Sequence, residues 1–180
     1  TYCGRLVPSV TRVLRDWWDG MVVGGTTRFI PDEYYLERGR RVHRAIECYL
    51  RGDGHEVAEE ERPFFSAAQT LLSLWSPADM QVEKTLFDRA FFVAGRADLI
   101  ATIGEIKTVV DWKVGSFSPY GRLQIGAYAI MSGAARGVEV RLTKNGADTR
   151  WYEDIADAWE EFTTVLEAWK LAQEYRKEAK

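Results

Sequence analysis

Just after Pro77 the apolar periodicity of this chain changes from helical to two, and that switch limits the fold more than any other feature. Before it, Val10, Val13, Leu14, Trp17 and Trp18 form one stripe, with Ser9 or Thr11 as N-cap and a glycine-containing loop expected over 20–27. A longer helix is expected from Pro31, carrying Tyr34, Tyr35, Val42, Ile46, Tyr49 and Leu50 and ending at Gly52-Asp53-Gly54. A third, over about 60–75, presents Phe64, Ala68, Leu71, Leu72 and Trp75. Beyond the switch, Met80, Val82, Lys84 and Leu86 alternate with their neighbours, and β-rich runs at 91–103 and 105–114 meet at a short link on Gly104. A helix over 119–131 follows, then strands at 138–142 and 149–154 around Asn145-Gly146, a strong hairpin-turn pair. An amphipathic helix closes the chain over 155–180. This order predicts an α/β protein with a mixed central sheet of about five strands flanked by helices.

At 180 residues, without repeat or linker, one domain is expected: a helical part at 9–76, a sheet core at 78–154 and a last helix at 155–178. A net charge of −3 argues against binding nucleic acid through overall positive potential, but leaves room for local basic patches. Cys3 and Cys48 are too few for a disulfide framework, a structural zinc site or an iron–sulfur cluster, so no such cluster is expected. No apolar run reaches the ~20 residues of a membrane span, and no signal pattern opens the chain. The expected setting is the cytoplasm of a bacterium or phage-infected cell, without membrane contact, and Thr1 reads as a processed or trimmed start.

The chemistry concentrates in residues 95–128. On the strand over 105–114, Asp111 and Lys113 share a face while Trp112 points to the other. A hairpin at Gly104 would place Asp98 almost opposite Asp111. Two adjacent carboxylates repel, and a hard divalent cation with oxygen ligands compensates them. Lys113 could then orient or deprotonate an attacking water and offset phosphate charge, while the metal polarises the phosphate. The plain alternative is an exposed strand face with an Asp–Lys pair worth about 0–1 kcal/mol. Asp98 in register, and glycines at Gly95 and Gly115 where backbone must approach closely, favour the metal site. Gln124 and Tyr128 share a helix face. Tyr128 reads either as core packing or as a phosphate or lysine contact.

Taken in order, these residues resemble the PD-(D/E)XK nuclease superfamily, in its RecB-like and phage exonuclease branch. Gly95-Arg96-Ala97-Asp98 is similar to the family's glycine-x-x-aspartate element, Asp111-Trp112-Lys113 to its acidic-x-lysine element, and Gln124 with Tyr128 to its glutamine-x-x-x-tyrosine signature. Glu37-Arg38-Gly39-Arg40-Arg41-Val42-His43 resembles its arginine- and histidine-bearing helix, and Ser9-Val10-Thr11-Arg12-Val13-Leu14 the N-terminal helix of phage-type members. Glu83 stands where the family has an acid ahead of the glycine-x-x-aspartate strand. The likeness runs from about residue 9 to 131.

The resemblance implies a restriction-endonuclease-like core and a deoxyribonuclease using one or two Mg²⁺ or Mn²⁺ ions. It implies metal ligation by His43, Asp98, Asp111 and the Trp112 carbonyl. The expected catalytic set is Asp98, Asp111, Lys113, Gln124, Tyr128 and Glu83. Arg38, Arg40, Arg41, Arg44, Arg96 and Arg122 are expected to contact DNA phosphates, the alternative being a solvated charged face. Glu47 reads as a metal ligand, as an acceptor fixing the tautomer of His43 or as a helix-face charge, the last two being favoured. The implied activity is exonucleolytic processing of DNA ends in phage recombination, repair or replication, by the chain alone, as a homo-oligomer or with a partner protein. An endonuclease, or a binding module on this fold without turnover, is the alternative.

Overall fold

A computed structural model of the chain describes residues 7–23 and 32–178. Cys3, Pro31, the part of the expected 20–27 loop beyond 23 and the last two residues of the expected final helix lie outside the described residues. Ten elements run in the order α1 (Val10–Val23), α2 (Glu33–Arg51), α3 (Arg62–Trp75), β1 (Ala78–Asp88), β2 (Val93–Ile103), β3 (Ile106–Val114), α4 (Gly121–Ser132), β4 (Arg136–Thr143), β5 (Gly146–Tyr152) and α5 (Ile155–Glu178). The element order matches the sequence-based expectation throughout. Several boundaries shift by two or three residues, β5 opening at Gly146 where residue 149 was expected, and α1 continues through Gly20 to Val23, although a loop was expected from residue 20. An interior glycine costs a helix only ~1 kcal/mol, too little to end it.

The five strands lie in chain order, β1-β2-β3-β4-β5. Three pairings are antiparallel; β3 and β4 are parallel. A parallel neighbour needs a crossover, and α4 supplies it. One face of the sheet packs Ile100 and Val109 against Val10, Val13 and Leu14 of α1, Ile125 and Tyr128 of α4, and Phe162 and Leu166 of α5. The other packs Leu99, Val110, Trp112, Val138 and Val140 against Val42 and Ile46 of α2 and Phe64, Ala68 and Leu72 of α3. Trp112 is fully buried there, as its alternation predicts. Burying an aromatic ring of this kind contributes about 1.5–3 kcal/mol, enough to pin the register of β3.

The α2 stripe is narrower than its pattern suggests. Val42, Ala45, Ile46 and Cys48 are buried, while Tyr34, Tyr35 and Tyr49 stay exposed. The Arg38 guanidinium covers the rings of Tyr34, Tyr35 and Phe64 at 5.7, 5.0 and 4.8 Å. Asp32 caps α2, accepting from the Tyr34 N–H at 3.0 Å, and Ser9 takes the Arg12 N–H at the start of α1. The far end of α5 is tied down by Trp169 Nε1, which donates to Asp16 at 3.1 Å, and by Lys170, which donates to the Phe91 carbonyl at 2.6 Å.

Candidate metal centre

The β2–β3 ladder runs from Ile103↔Ile106 to Leu99↔Val110. One further step would set Asp98 opposite Asp111. There the strands part, and Asp98 Oδ2 accepts the backbone N–H of Trp112 at 2.8 Å. From the α2 side, His43 brings Nδ1 to 3.5 Å from the same oxygen. From β1, Glu83 completes the group: one ligand atom each from His43, Glu83 and Asp98 lies within 4.8 Å of the others. Glu83 interrupts the regular β1–β2 pairing between Val82↔Leu99 and Lys84↔Ala97, and its φ is +53°. A non-glycine residue held in the left-handed region is strained, and such strain clusters where a side chain must be aimed. Arg96 is the paired cation of Glu83, at 2.7 Å.

Asp111 faces the other side of Asp98. Its Oδ1 accepts from Gln124 Nε2 at 3.2 Å, and its Oδ2 lies 2.5 Å from Lys113 Nζ as an ion pair with no aligned hydrogen bond. Lys113 Nζ also donates to Gln124 Oε1 at 3.3 Å, so Gln124 bridges the two charges. Behind it, Gln124 Nε2 reaches the Tyr128 hydroxyl at 3.4 Å, and that hydroxyl meets Thr11 Oγ1 at 3.2 Å. Tyr128 is therefore both core and site. Its ring passes so close to β2 that a Cβ on Gly95 would overlap it, which is the packing reason for the glycine of the Gly95-Arg96-Ala97-Asp98 element.

Burial and mutual repulsion dominate the electrostatics. Desolvation pushes the Asp111 carboxyl up to about 6, with Asp98 adding to it and Lys113 opposing. Asp98 is also desolvated, yet the neighbouring His43, Lys113 and the Trp112 N–H outweigh this and hold it below the usual range. Burial works against a charged His43, but Asp98 wins and raises it. Lys113 is likewise raised, because Asp111 and Asp98 outweigh its burial. Burial and Asp98 raise Glu83. Asp98 thus stands between Glu83 and Asp111, with the His43 imidazole, the Lys113 ammonium and the Arg96 guanidinium alongside. A divalent cation fits the donor set of His43, Glu83 and Asp98, because hard oxygens with one imidazole suit Mg²⁺ or Mn²⁺.

Two open clefts meet at this point. The first, of about 470 Å³, is lined by Thr11, Gly95, Asp98, Asp111, Lys113 and Gln124 among others. The second, of about 480 Å³, includes Tyr35, Gly39, Arg40, Arg44, Glu83 and Arg96. His43, Arg96 and Asp98 belong to both.

Of the residues singled out in the sequence, His43, Glu83, Asp98, Asp111, Lys113, Gln124 and Tyr128 are gathered in one place. Trp112 contributes its backbone N–H there, to Asp98, while its ring lies in the opposite core. The arginines divide. Arg40, Arg44 and Arg96 line the clefts, although each also has acid partners: Glu33 and Glu37 for Arg40, Glu47 for Arg44 and Glu83 for Arg96. Arg38 is spent on aromatic rings, Arg41 is paired with Glu60 and buried Glu61, and Arg122 with Asp154 and Glu161. Glu47 takes Arg44 and Arg51 at 2.7 and 3.1 Å, which matches a helix-face charge. Thr11 was read only for its place in the first helix; its position one residue past Val10 gave no other signal. Glu139 was passed over too, although an acid inside the apolar run Val138-Glu139-Val140 is itself a signal.

Neither a protein-family model nor a curated protein matches the chain. Among solved structures it is similar to an alkaline exonuclease (LHK-Exo) from Laribacter hongkongensis, with TM-score 0.48 and 13% identity over 95% of this chain and 91% of that one. The LHK-Exo complex with dAMP gives TM-score 0.46 and 15% identity over 96% and 92%. SSO0001 gives TM-score 0.39 and 18% identity over 61% of this chain, and the chain spans 57% of its length. These are distant likenesses in the course of the backbone.

Proposed function

We propose that this protein is a divalent-metal-dependent deoxyribonuclease that hydrolyses phosphodiester bonds, acting on DNA ends. The observation that carries the reading is the meeting of two charge sets on one open surface: His43, Glu83 and Asp98 on one side, and Asp111, Lys113 and Gln124 on the other. The order of motifs resembling the PD-(D/E)XK superfamily supports it independently.

His43, Glu83 and Asp98 would hold the metal ion, with Asp111 beside them. Mg²⁺ or Mn²⁺ bound there would polarise the phosphate and stabilise charge developing on its oxygens. Lys113 is an ammonium held by Asp111 and Asp98, so it serves as a donor: it orients the attacking water and offsets phosphate charge. Gln124 fixes Asp111 and Lys113 relative to one another, and Tyr128 with Thr11 fixes Gln124. The water oxygen adds to phosphorus in line with the departing ester oxygen and gives up a proton to solvent; that P–O bond breaks, and the leaving oxygen takes a proton from solvent and ends as a hydroxyl. Arg40, Arg44 and Arg96 would receive the flanking phosphates.

Cleavage of end-labelled linear DNA beside a closed circle, with Mg²⁺, Mn²⁺ or EDTA, tests this for wild type and Asp111→Ala. Metal-dependent loss of linear DNA alone, absent in the variant, is expected. Cutting of the circle would make the protein an endonuclease. No cleavage with any metal would leave a binding module.

A further inference from the structure

Glu139 on β4 is fully buried, yet the chemistry above does not use it. In the parallel pairing it stands beside Asp111. It faces α4: Gly137, two residues earlier on the same face, packs against Ile125 of that helix. Its Oε1 accepts the backbone N–H of Ser118 at 2.6 Å, and its Oε2 the Tyr152 hydroxyl at 3.3 Å. The first residue of α4 completes the seat. A Cβ on Gly121 would come within 2.6–2.7 Å of both carboxylate oxygens and the carbon between them. The carboxylate therefore lies flat against the helix start, where the peptide dipoles favour negative charge. One turn on, Gln124 bridges Asp111 and Lys113.

An acid in the middle of a central strand is costly to bury unless its partners compensate it. On its own face of the sheet it is fully buried beside Gly137 and Ile125, so packing alone would favour an aliphatic side chain here. What the carboxylate adds is a fixed distance between β4 and the start of α4. That distance sets how deeply α4 sits on the sheet beside Asp111.

We propose that Glu139 is a positioning residue: by seating the Ser118 amide and the first turn of α4, it sets the depth and rotation at which Gln124 meets Asp111 and Lys113. Its bearing on turnover rests on the hydrolytic reading of the cleft; its bearing on Gln124 does not.

The test is NMR of the Gln124 side-chain amide in wild type, Glu139→Ala and Glu139→Gln, with backbone amide exchange across β3 and β4 as the control for folding. Wild type should show two well-separated, exchange-protected amide protons. In Glu139→Ala these should lose protection and shift toward free-amide values while β3 and β4 stay protected, and turnover on DNA should fall about 100-fold, the scale of a small misplacement of a catalytic group. Glu139→Gln keeps an acceptor for Ser118 and should restore most of both. Unchanged Gln124 signals in Glu139→Ala would overturn the proposal. Should Glu139→Ala not fold, Gly121→Ala presses on the same carboxylate from the helix side and must move the Gln124 signals; if it leaves them in place, the proposal is wrong. The resonance readout needs no cleavage, so a wild type inactive with every metal would sink the hydrolytic reading separately.

Discussion

Asp98 accepts the Trp112 backbone N–H at 2.8 Å at the point where the β2–β3 ladder ends. One carboxylate thus closes the sheet and joins His43 and Glu83 in the candidate metal site, and the two duties can be separated. Asp98→Asn keeps an acceptor for Trp112 but loses the charge, so Mn²⁺ affinity measured by calorimetry should drop at least ~10-fold with little change in folding stability. Asp98→Ala should add a stability loss of about 1–3 kcal/mol, because a buried N–H is left without a partner. Equal stability loss in both variants would refute this division.

Glu83 is held at φ +53° with its carboxylate on the cluster. Glu83→Gly relieves the backbone and removes the ligand. The metal-free variant should be as stable as wild type, or up to ~1 kcal/mol more stable in denaturant unfolding, while binding Mn²⁺ more weakly. A variant less stable than wild type by more than that amount, with unaltered metal affinity, would make the strained turn structural.

The raised Asp111 carboxyl gives the metal-free protein a characteristic pH dependence. Its folded value of about 6 lies above the unfolded one, so the folded state binds the extra proton. That stability is fully present below the ordinary aspartate range near pH 4 and is lost as pH rises through about 6. His43 is also raised and loses its contribution at higher pH in the same sense. The melting temperature without metal should therefore decline from pH 4 to 7 more steeply in wild type than in Asp111→Asn. Mn²⁺ needs the deprotonated carboxylate and neutral imidazole, and should recover stability most at the upper end. Identical slopes in the two proteins would exclude Asp111 as the source.

The six arginines should separate by salt dependence. Arg40→Ala and Arg44→Ala, at the second cleft, should each lower the slope of log affinity for DNA against log salt by about 1. Arg122→Ala should leave it unchanged. Arg41→Ala should instead lower the melting temperature, since it strips the partner from buried Glu61. A slope change for Arg122→Ala equal to that for Arg44→Ala would mean that DNA tracks across α4 and α5.

The period switch after Pro77 and the hairpin at Gly104 were enough to place Asp98 beside Asp111, because a strand's alternation and a short turn fix both face and register. The bridge from Gln124 to Asp111 and Lys113 was legible in outline, since residues four apart on a helix share a face. Glu83 was visible as a residue but not as a ligand candidate of the His43–Asp98 cluster, because its placement depends on one left-handed backbone angle. Arg38, Arg41 and Arg122 looked like part of a phosphate track. Their real partners are aromatic rings and acids from distant segments, which no local pattern announces. Glu139 was hidden for the same reason: its seat is made by Ser118, Gly121 and Tyr152.

Strand order that follows chain order has a consequence for how the molecule assembles. Each strand emerging from the ribosome finds its partner already made, so sheet growth proceeds by short-range closure, the regime in which folding is quick. The histidine and both acids of the cluster arrive by the end of β2, whereas Lys113 and Gln124 come later in synthesis. Yet Asp98 gains the Trp112 N–H only when β3 is in place, so the candidate site closes no earlier than that strand.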